Sequence, residues 1–306
     1  MSEALPQPLL YLIDALPYVF RAYFAVQEMK SPAGLPVHAV YGFASFLCQV
    51  LRQAPLTHIA VAFDESLISS FRNAFFPAYK ANRELPPPDL ARQLAYCQAV
   101  ARALGIAVFV DPHYEADDLI GTLAHQATQA GMPVVIVSND KDLMQLVNTT
   151  VTLYDFAKRV QYDPVGVRTS MGVRPEQIPD LLGLQGDPVD NIPGVRGIGT
   201  KTAVALLQTF PTVEALYARL DEVETLPLRG ASVLRRKLAV GEEAARLSKR
   251  LATIALQAPV SYDAEALRYR GALATEVTRL FAELGFERLQ RRIPRWQPAV
   301  LPGSDT

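Results

Sequence analysis

Four apolar segments of this chain, each with the pattern of a buried strand, run directly into acidic residues. These acidic residues are Asp14, then Asp64, then Glu115, Asp117 and Asp118 together, and finally Asp140 and Asp142. In an open α/β sheet, ligands bind outside the carboxyl ends of the strands, so the pattern predicts that these carboxylates share one crevice. Neighbouring carboxylates repel one another unless hard cations neutralise them. The sequence therefore predicts a Mg²⁺ or Mn²⁺ site of the kind that nucleases use.

A simpler explanation exists for each acid taken singly, because one Asp after a strand commonly caps a helix or forms a turn. That explanation is weaker for four strand ends together. It is weakest for Glu115, Asp117 and Asp118, which the pattern places in the first turn of a helix, where capping needs only one carboxylate. We therefore favour the metal site.

The elements that must position these acids follow an alternating order. Strand and helix patterns alternate to about residue 155, which predicts a parallel sheet of the α/β class, with one helix running from Asp89 to Leu104 and stopping at Gly105. Residues 71–89 break the alternation with mixed aromatic, cationic and proline residues. Tyr79, Lys80 and Arg83 in this segment suit phosphates and unstacked bases, although a solvated surface loop is the alternative.

From Pro175 onward the pattern is helical, and residues 194–199 form a glycine-rich turn. This turn, followed by a helix that we expect Thr200 to cap and Phe210 to end, is typical of a helix-hairpin-helix. Its glycines let the backbone approach a phosphate, and Lys201 adds positive charge. An ordinary corner between two helices is the alternative. No strand precedes the turn, so a dinucleotide-binding fold is disfavoured.

The composition limits the protein class. With 306 residues and 50% hydrophobic content, the chain can bury a sizeable core, as two domains or as one with a large appendage. The apolar N-terminal run is interrupted by charges, which indicates a strand rather than a signal peptide or membrane span. Cys48 and Cys97 occur singly, so we expect buried thiols in a reducing cytoplasm. The four histidines show no zinc spacing, and the net charge of −1 does not decide the partner.

Taken together, the motifs resemble the 5′-nuclease (flap endonuclease) family, most closely the 5′-3′ exonuclease domain at the N-terminus of bacterial DNA polymerase I. The likeness runs from Leu9 to about Leu289. Its signatures occur in the family's order, at residues 40–43, 71–72, 79–80, 114–118, 140–142 and 186–202.

The resemblance implies the roles of individual residues. It implies a first metal site built by Asp14, Asp64, Glu115, Asp117 and Asp118. It implies a second metal site built by Asp140, Asp142, Asp187 and Asp190. It further implies that an arch segment, residues 71–89, brings Lys80 and Arg83 to the scissile phosphate with Arg21 and Arg72 nearby, and that Tyr79 stacks on an unpaired base.

The resemblance also implies the fold and the duplex site. The fold is α/β, with a PIN-like, mostly parallel central sheet flanked by helices, followed by a C-terminal helix-hairpin-helix region. We expect domains at 1–174 and 175–292 and a loose tail at 293–306. A K⁺ ion held by hairpin carbonyls is implied to bind the downstream duplex. The residues concerned are Gly194, Val195, Arg196, Gly197, Ile198, Gly199, Thr200 and Lys201.

The implied function is a structure-specific 5′-3′ exonuclease and 5′-flap endonuclease that uses two Mg²⁺ or Mn²⁺ ions in DNA replication and repair. Its implied partners are DNA with 5′ flaps, nicks or free 5′ ends, RNA primers in RNA-DNA hybrids, and a DNA polymerase. The resemblance implies a cytoplasmic, nucleoid-associated monomer without a membrane partner. Two alternatives are a PIN-type ribonuclease, disfavoured by the hairpin, and a non-catalytic DNA-binding protein, disfavoured by the nine carboxylates.

Two features depart from the family pattern. Ala15 and Leu16 follow Asp14 where the family usually has Gly-His or Gly-Asn. The chain ends at Thr306, which leaves no room for a polymerase. We therefore expect either a stand-alone protein or an excised domain.

Overall fold

The computed structural model describes residues 7–66 and 70–298, and a six-stranded sheet lies at its centre. The strands are β1 Leu10–Asp14, β2 His58–Asp64, β3 Ala107–Asp111, β4 Val134–Val137, β5 Val151–Asp155 and β6 Val160–Tyr162. Their order across the sheet is β3-β2-β1-β4-β5-β6. The first five strands are parallel, and β6 alone pairs antiparallel, with β5. The predicted α/β class with a mostly parallel sheet is confirmed.

Helices flank this sheet and make up most of the C-terminal half. They are α1 Leu16–Ala25, α2 His38–Gln53, α3 Pro88–Ala103, α4 Ala116–Gln129, α5 Pro164–Met171, α6 Ile178–Gln185, α7 Thr200–Thr209, α8 Val213–Ala218, α9 Ala231–Val240, α10 Glu242–Ala252, α11 Ala264–Leu267 and α12 Ala274–Leu284. Short 3₁₀ segments span Phe71–Ala74, Asp142–Leu146, Pro175–Gln177, Leu220–Thr225 and Glu287–Arg292.

The strands bury both faces, because successive side chains point to opposite sides of a sheet. Leu10 and Leu12 of β1 join an apolar layer with α4 and the helices from α6 to α10. Tyr11 and Ile13 of the same strand join a second layer with α1, α2, α3 and α12. The core thus holds the strand ends rigidly from two sides.

The C-terminal part of the chain divides between these two layers. Helices α6 to α10 belong to the first layer, whereas Phe281 and Leu284 of α12 are buried in the second. The predicted domain at 175–292 is therefore not a single packing unit. The reason is that α2 and α3 present an apolar surface that α12 and the segment Glu287–Arg292 cover.

The predicted loose tail is corrected in its described part. The Ala272 N–H donates to the Arg295 carbonyl, and the Gln297 N–H donates to the Ala272 carbonyl, both at 2.9 Å. Residues 293–298 are therefore tied to the chain beside α12. Residues 299–306 lie outside the described part.

Two predicted helix boundaries have different outcomes. Helix α3 lies close to its prediction, and Gly105 just beyond its end has a φ of +77°, a backbone conformation that glycine tolerates. The predicted cap of α7 is wrong, because Gly199 is the capping residue and Thr200 is the first residue inside the helix, with no side-chain cap.

Cys48 and Cys97 are free and buried. Within the described ranges, no helix has the length and apolar character needed to cross a membrane.

Candidate metal centre

A cavity of about 450 Å³ opens at the carboxyl ends of β1, β2 and β4. The connections leaving β1 and β2 pass over one face of the sheet, whereas α4, which leads into β4, packs on the other. The cavity thus lies at the point where the strand order reverses, the usual ligand site of such sheets. Eight carboxylates line it: Asp14, Asp64, Glu84, Glu115, Asp117, Asp140, Asp142 and Asp190.

Hydrogen bonds fix the acids at the strand ends. Asp14 ends β1 and accepts a hydrogen bond from the Ser138 hydroxyl at 2.7 Å, and Ser138 itself accepts from the Asp140 N–H at 3.0 Å. Asp64 ends β2 and accepts from the Ala116 N–H at 2.6 Å, at the first turn of α4. Ser138 was not predicted as a site residue. Its signal in the sequence is a small polar residue directly between β4 and the acidic loop.

The crevice raises the pKa of several of its acids. Burial and the nearby charges of Asp64 and Asp140 raise the pKa of Asp14 to about 8, although the Ser138 hydrogen bond opposes the shift. Burial raises the pKa of Asp64 to about 6. Burial and then neighbouring carboxylates also raise the pKa of Asp117 and Asp142 well above the ordinary Asp value. Carboxylates held together against this penalty provide the all-oxygen ligand set that hard divalent cations prefer, so the residues present fit such a metal.

Glu115 has a different environment from the other acids. It pairs with Lys80, accepts from Arg72 Nη1 at 2.7 Å, and accepts from the Tyr79 hydroxyl at 3.1 Å. Burial alone would raise the Glu115 pKa, but the Lys80 and Arg72 cations lower it below its ordinary value. Glu115 is therefore an ionised group at the wall of the crevice.

Asp187 and Asp190 come from the helical half of the chain: Asp190 lines the crevice, and Asp187 lines an adjoining cavity that shares Asp140, Asp142 and Asp190 with it. Backbone hydrogen bonds in both directions between Asp187 and Ile192, at 2.9 and 2.8 Å, close the loop that carries both acids. Asp142, Asp187 and Asp190 each place a carboxylate oxygen within 4.8 Å of the others. The sequence prediction that Asp187 and Asp190 meet the acids after β4 is thus met in the geometry.

The arch segment is attached to this loop by hydrogen bonds that backbone carbonyls accept from one backbone N–H and two Asn side chains. The Lys80 N–H donates to the Asp190 carbonyl at 3.0 Å, Asn82 Nδ2 to the Pro188 carbonyl at 2.8 Å, and Asn191 Nδ2 to the Ala78 carbonyl at 2.6 Å. Lys80 and Asn191 both have positive φ, an uncommon conformation outside glycine. Asn82 and Asn191 were not predicted as site residues, because nothing local in the sequence marks their carbonyl partners.

The arch cations point toward the crevice. Lys80 pairs with Glu115 and lies 3.7 Å from Asp190, and Arg83 pairs with Asp190. Burial alone would lower the Lys80 pKa, but Glu115 and Asp190 raise it, so Lys80 is cationic. Residues 75–87, within the arch segment, contain turns and no helix.

Three predicted site residues need correction. Asp118 is fully buried, and its carboxylate oxygens are engaged by Arg72 and by the backbone N–H groups of Glu115 and Ala255, so it is not placed as a metal ligand. Arg72 is itself buried by these partners and is not placed against a phosphate. Tyr79 is 4% exposed, with its hydroxyl on Glu115, so its ring is not open to a base.

Arg21 does not reach the crevice. It lies on the other side of α1, in a separate groove of about 460 Å³. Phe20, the preceding residue, lines the crevice instead. Helix α1 therefore separates the acidic crevice from this second groove.

The hairpin residues also divide by exposure. The Val195 and Ile198 side chains are buried in the first layer, so only their backbone is placed to meet a ligand. Gly194 has a φ of +60°, and a Cβ there would lie 2.3 Å from the Gly186 nitrogen, so glycine is required. The exposed members are Arg196, Gly197, Gly199, Thr200 and Lys201. Lys237, which was not predicted, places its Nζ 2.9 Å from the position of a Cβ on Gly197.

Comparison with known proteins decides the family. The profile described as the 5′-3′ exonuclease N-terminal resolvase-like domain matches residues 9–172, and that of the 5′-3′ exonuclease C-terminal SAM fold matches residues 173–275. The chain belongs to the 5′-3′ exonuclease family.

Relatives of two lengths occur in this family. The chain is 42% identical over 283 residues to a DNA polymerase I of Bacillus caldotenax, covering 91% of this chain and 31% of the relative. It is 36% identical over 275 residues to a 5′-3′ exonuclease of Buchnera aphidicola, covering 90% of this chain and 91% of the relative. The chain thus spans about a third of the polymerase relatives and nearly all of the shorter one.

Solved structures share the fold at lower identity. A bacteriophage T5 D15 flap endonuclease, in a complex with DNA and metal ions, superposes with a TM-score of 0.65 at 22% identity, covering 92% of this chain and 96% of that one. The catalytic core of Rad2 with a DNA substrate superposes with a TM-score of 0.61 at 15% identity, covering 94% and 92%. These likenesses support the fold of both halves.

The raised pKa values in the crevice predict how the stability of the metal-free protein changes with pH. The folded pKa values of Asp14, about 8, and Asp64, about 6, exceed the ordinary value of 3.8. The native state then binds more protons than the unfolded state, so stability falls as pH rises from roughly 4 toward 8. In EDTA we expect the melting temperature to fall across this range, and saturating Mn²⁺ to remove most of the fall.

The control is Asp14→Asn, which should flatten the slope in EDTA because one of the repelling charges is gone. A melting temperature that rises with pH in EDTA, in both proteins, would contradict the crowding of carboxylates.

Proposed function

We propose that this chain is a structure-specific 5′-3′ exonuclease and 5′-flap endonuclease that hydrolyses DNA with two Mg²⁺ or Mn²⁺ ions during replication and repair. The observation that carries the proposal is the crevice at the sheet's reversal point, where carboxylates from the strand ends and from the 187–190 loop converge beneath two arch cations. The DNA complexes of the T5 and Rad2 structures support the same substrate class.

The carboxylates divide into two groups by position. Asp14, Asp64 and Asp117, with Glu115 at the wall, would hold one cation. Asp142, Asp187 and Asp190, with Asp140 beside them, would hold the other. Bound cations supply activation of water and neutralise charge on the reacting phosphate.

The chain's own cations serve the phosphate. Lys80 and Arg83 extend from the arch segment over the crevice, and each carries N–H donors suited to phosphate oxygens. Ser138 orients the Asp14 carboxylate, and the Ala116 N–H orients that of Asp64. These contacts fix the ligands before the substrate binds, which avoids reorganisation during the reaction.

Duplex DNA beyond the cleavage point would contact the hairpin. The backbone at 194–199, the exposed Lys201 and the Lys237 ammonium lie together there. Glycine allows close approach of a phosphate, and we propose that hairpin carbonyls hold K⁺ between protein and phosphate. Such contacts read the backbone and not the base sequence.

Arg21 would serve a different part of the substrate. Its groove is also lined by Arg52, Arg159 and Arg292, and no Asp or Glu of the described ranges lines it. Four arginines without a facing carboxylate attract a nucleic-acid backbone. We propose that this groove contacts the DNA on the side of α1 opposite the arch.

The proposed partners are flapped, nicked or 5′-ended DNA and RNA primers in hybrids, together with a DNA polymerase, carried on the same chain or acting separately. We propose that the protein works as a monomer in the cytoplasm, at the nucleoid. Incubation with 5′-flap, nicked, single-stranded and RNA substrates, in Mg²⁺ or EDTA, tests the activity. Cleavage confined to RNA would favour a PIN-type ribonuclease, and no cleavage in Mg²⁺ would favour a non-catalytic DNA-binding protein.

Replacing Asp187 and Asp190 together with Asn should abolish most flap cleavage. The change removes two ligand charges but keeps size and hydrogen-bonding capacity, so the fold should survive. DNA affinity, measured by anisotropy in Ca²⁺, should be unchanged or tighter because repulsion of phosphates falls. Near-wild-type cleavage by the folded double variant at limiting Mg²⁺ would leave the strand-end acids as a one-metal site.

Lys80→Ala should slow cleavage by about 10²–10³-fold, because its charge would act on the reacting phosphate. Flap-DNA affinity should stay within a few fold, since one contact among many is lost. Single-turnover rates and anisotropy measure the two effects. A rate within twofold of wild type would show that Lys80 only neutralises Glu115.

Exchanging Na⁺ for K⁺ at constant ionic strength should tighten binding to nicked duplex. Total salt must stay fixed, because counterion release weakens all such complexes as salt rises. Anisotropy titrations in the two salts provide the comparison, and single-stranded DNA serves as the control ligand. Equal affinity in both salts would leave the hairpin as plain phosphate-binding backbone without a K⁺ site.

A further inference from the structure

Arg72 uses every donor of its guanidinium inside the protein. Its Nε donates to the Leu251 carbonyl at 2.8 Å, and Nη2 donates to the Thr253 carbonyl at 2.9 Å. Nη1 donates to Glu115 and to Asp118, at 2.7 and 2.8 Å, and the second hydrogen of Nη2 meets Asp118 at 2.8 Å. A guanidinium has five N–H donors, so none is left over. Arg72 is also only 3% exposed.

We propose that Arg72 is a positioning residue that holds Glu115 at the crevice and fastens the base of the arch segment to the loop after α10. This inference rests on the proposed metal role of the Glu115 crevice. It assigns Arg72 no contact with the substrate, in contrast to the role implied by the family resemblance.

The partners of Arg72 belong to two separate parts of the chain. Asp118 lies in the first turn of α4, Glu115 precedes that helix, and the two carbonyls lie at the end of α10 and just beyond it. Leu251, Ala252 and Ile254 also line the crevice. Arg72 therefore fixes one carboxylate of the crevice and one of its walls at the same time.

Asp118 completes the joint. Besides its two bonds from Arg72, it accepts from the Ala255 N–H at 2.8 Å and from the Glu115 N–H at 3.2 Å. One turn further along α4, the Thr122 hydroxyl accepts from the Ala258 N–H at 3.0 Å. The first two turns of α4 are thus bonded to residues 255–258, with the Arg72–Asp118 pair at the end nearest the crevice.

Arg83 provides the contrast within the same segment. Its side chain is 33% exposed, and its one carboxylate partner in the described chain is Asp190. Arg83 therefore retains free donors at the mouth of the crevice, whereas Arg72 could reach a phosphate only by leaving a buried charge pair. Removing one partner of such a pair is strongly destabilising.

The test compares Arg72→Lys, Asp118→Asn and the double variant in the full chain. Lysine keeps the charge but cannot reproduce the two-pronged contact with a carboxylate. Three quantities are measured: Mn²⁺ binding without DNA by electron paramagnetic resonance, flap-DNA affinity in Ca²⁺ by anisotropy, and single-turnover cleavage in Mg²⁺. Arg279→Lys is the matched control, because Arg279 pairs with Glu276 and Glu283 on the exposed face of α12.

We expect each single variant to weaken Mn²⁺ binding and to slow cleavage by about tenfold or more, because small misplacements of site residues have effects of this size. Flap-DNA affinity should stay within about threefold. The double variant should be no worse than Arg72→Lys, since contacting residues are not additive. A drop of tenfold or more in DNA affinity for Arg72→Lys, with Asp118→Asn unchanged in all three measurements, would overturn the proposal.

The design separates this inference from the proposed function. If the wild-type protein cleaves no flap DNA in Mg²⁺, the proposed function fails, and Mn²⁺ binding still reports on the positioning of Glu115. If Arg72→Lys does not fold, Asp118→Asn alone decides, because weaker Mn²⁺ binding with intact DNA affinity supports positioning and normal Mn²⁺ binding refutes it.

Discussion

Repulsion among carboxylates in one crevice is the constraint on which the rest of this structure depends. Burial and the charges of neighbouring carboxylates raise the pKa of Asp14, Asp64 and Asp117. Keeping these groups ionised in the folded state therefore costs stability. The fold offsets this cost with neighbouring cations at Glu115 and Asp190, with hydrogen bonds from Ser138 and the Ala116 N–H, and with apolar layers on both sheet faces. Strand ends held from two sides cannot move apart to relieve the repulsion.

Local patterns in the sequence predict much of the fold. Apolar runs of strand length ending in acids predict the crevice because parallel strands share one carboxyl edge. The packing of α12 in the second layer could not be predicted in this way. The sequence pattern of an amphipathic helix shows that one face is apolar, but not which surface that face packs against. The same reason explains why the predicted domain at 175–292 divides between two layers.

The roles of adjacent acids were harder to predict than their presence. Asp117 and Asp118 are identical in type and neighbouring in sequence, yet one faces the crevice and the other is buried against Arg72. A helix rotates successive side chains by about 100°, so neighbours point to different surroundings. Only knowledge of the Arg72 partner, 46 residues earlier, separates them. Tyr79 was misjudged for the same reason, because a ring in an irregular segment has no periodicity to reveal its burial.

The attachments of the arch segment differ in strength along its length, and this difference defines where it can move. Near its tip, the contacts of Asn82, Asn191 and the Lys80 N–H are single hydrogen bonds, each contributing about 0.5–1.5 kcal/mol. At its base, the Arg72 pair is buried, and breaking such a pair costs about 3–5 kcal/mol. Domain stability is only about 5–15 kcal/mol, so opening the tip is compatible with an intact fold, whereas opening the base consumes much of that stability. Opening of the arch segment is therefore easier around Asn82, which is exposed, than at Tyr79 and Lys80, which are bonded to Glu115, or at the buried Arg72.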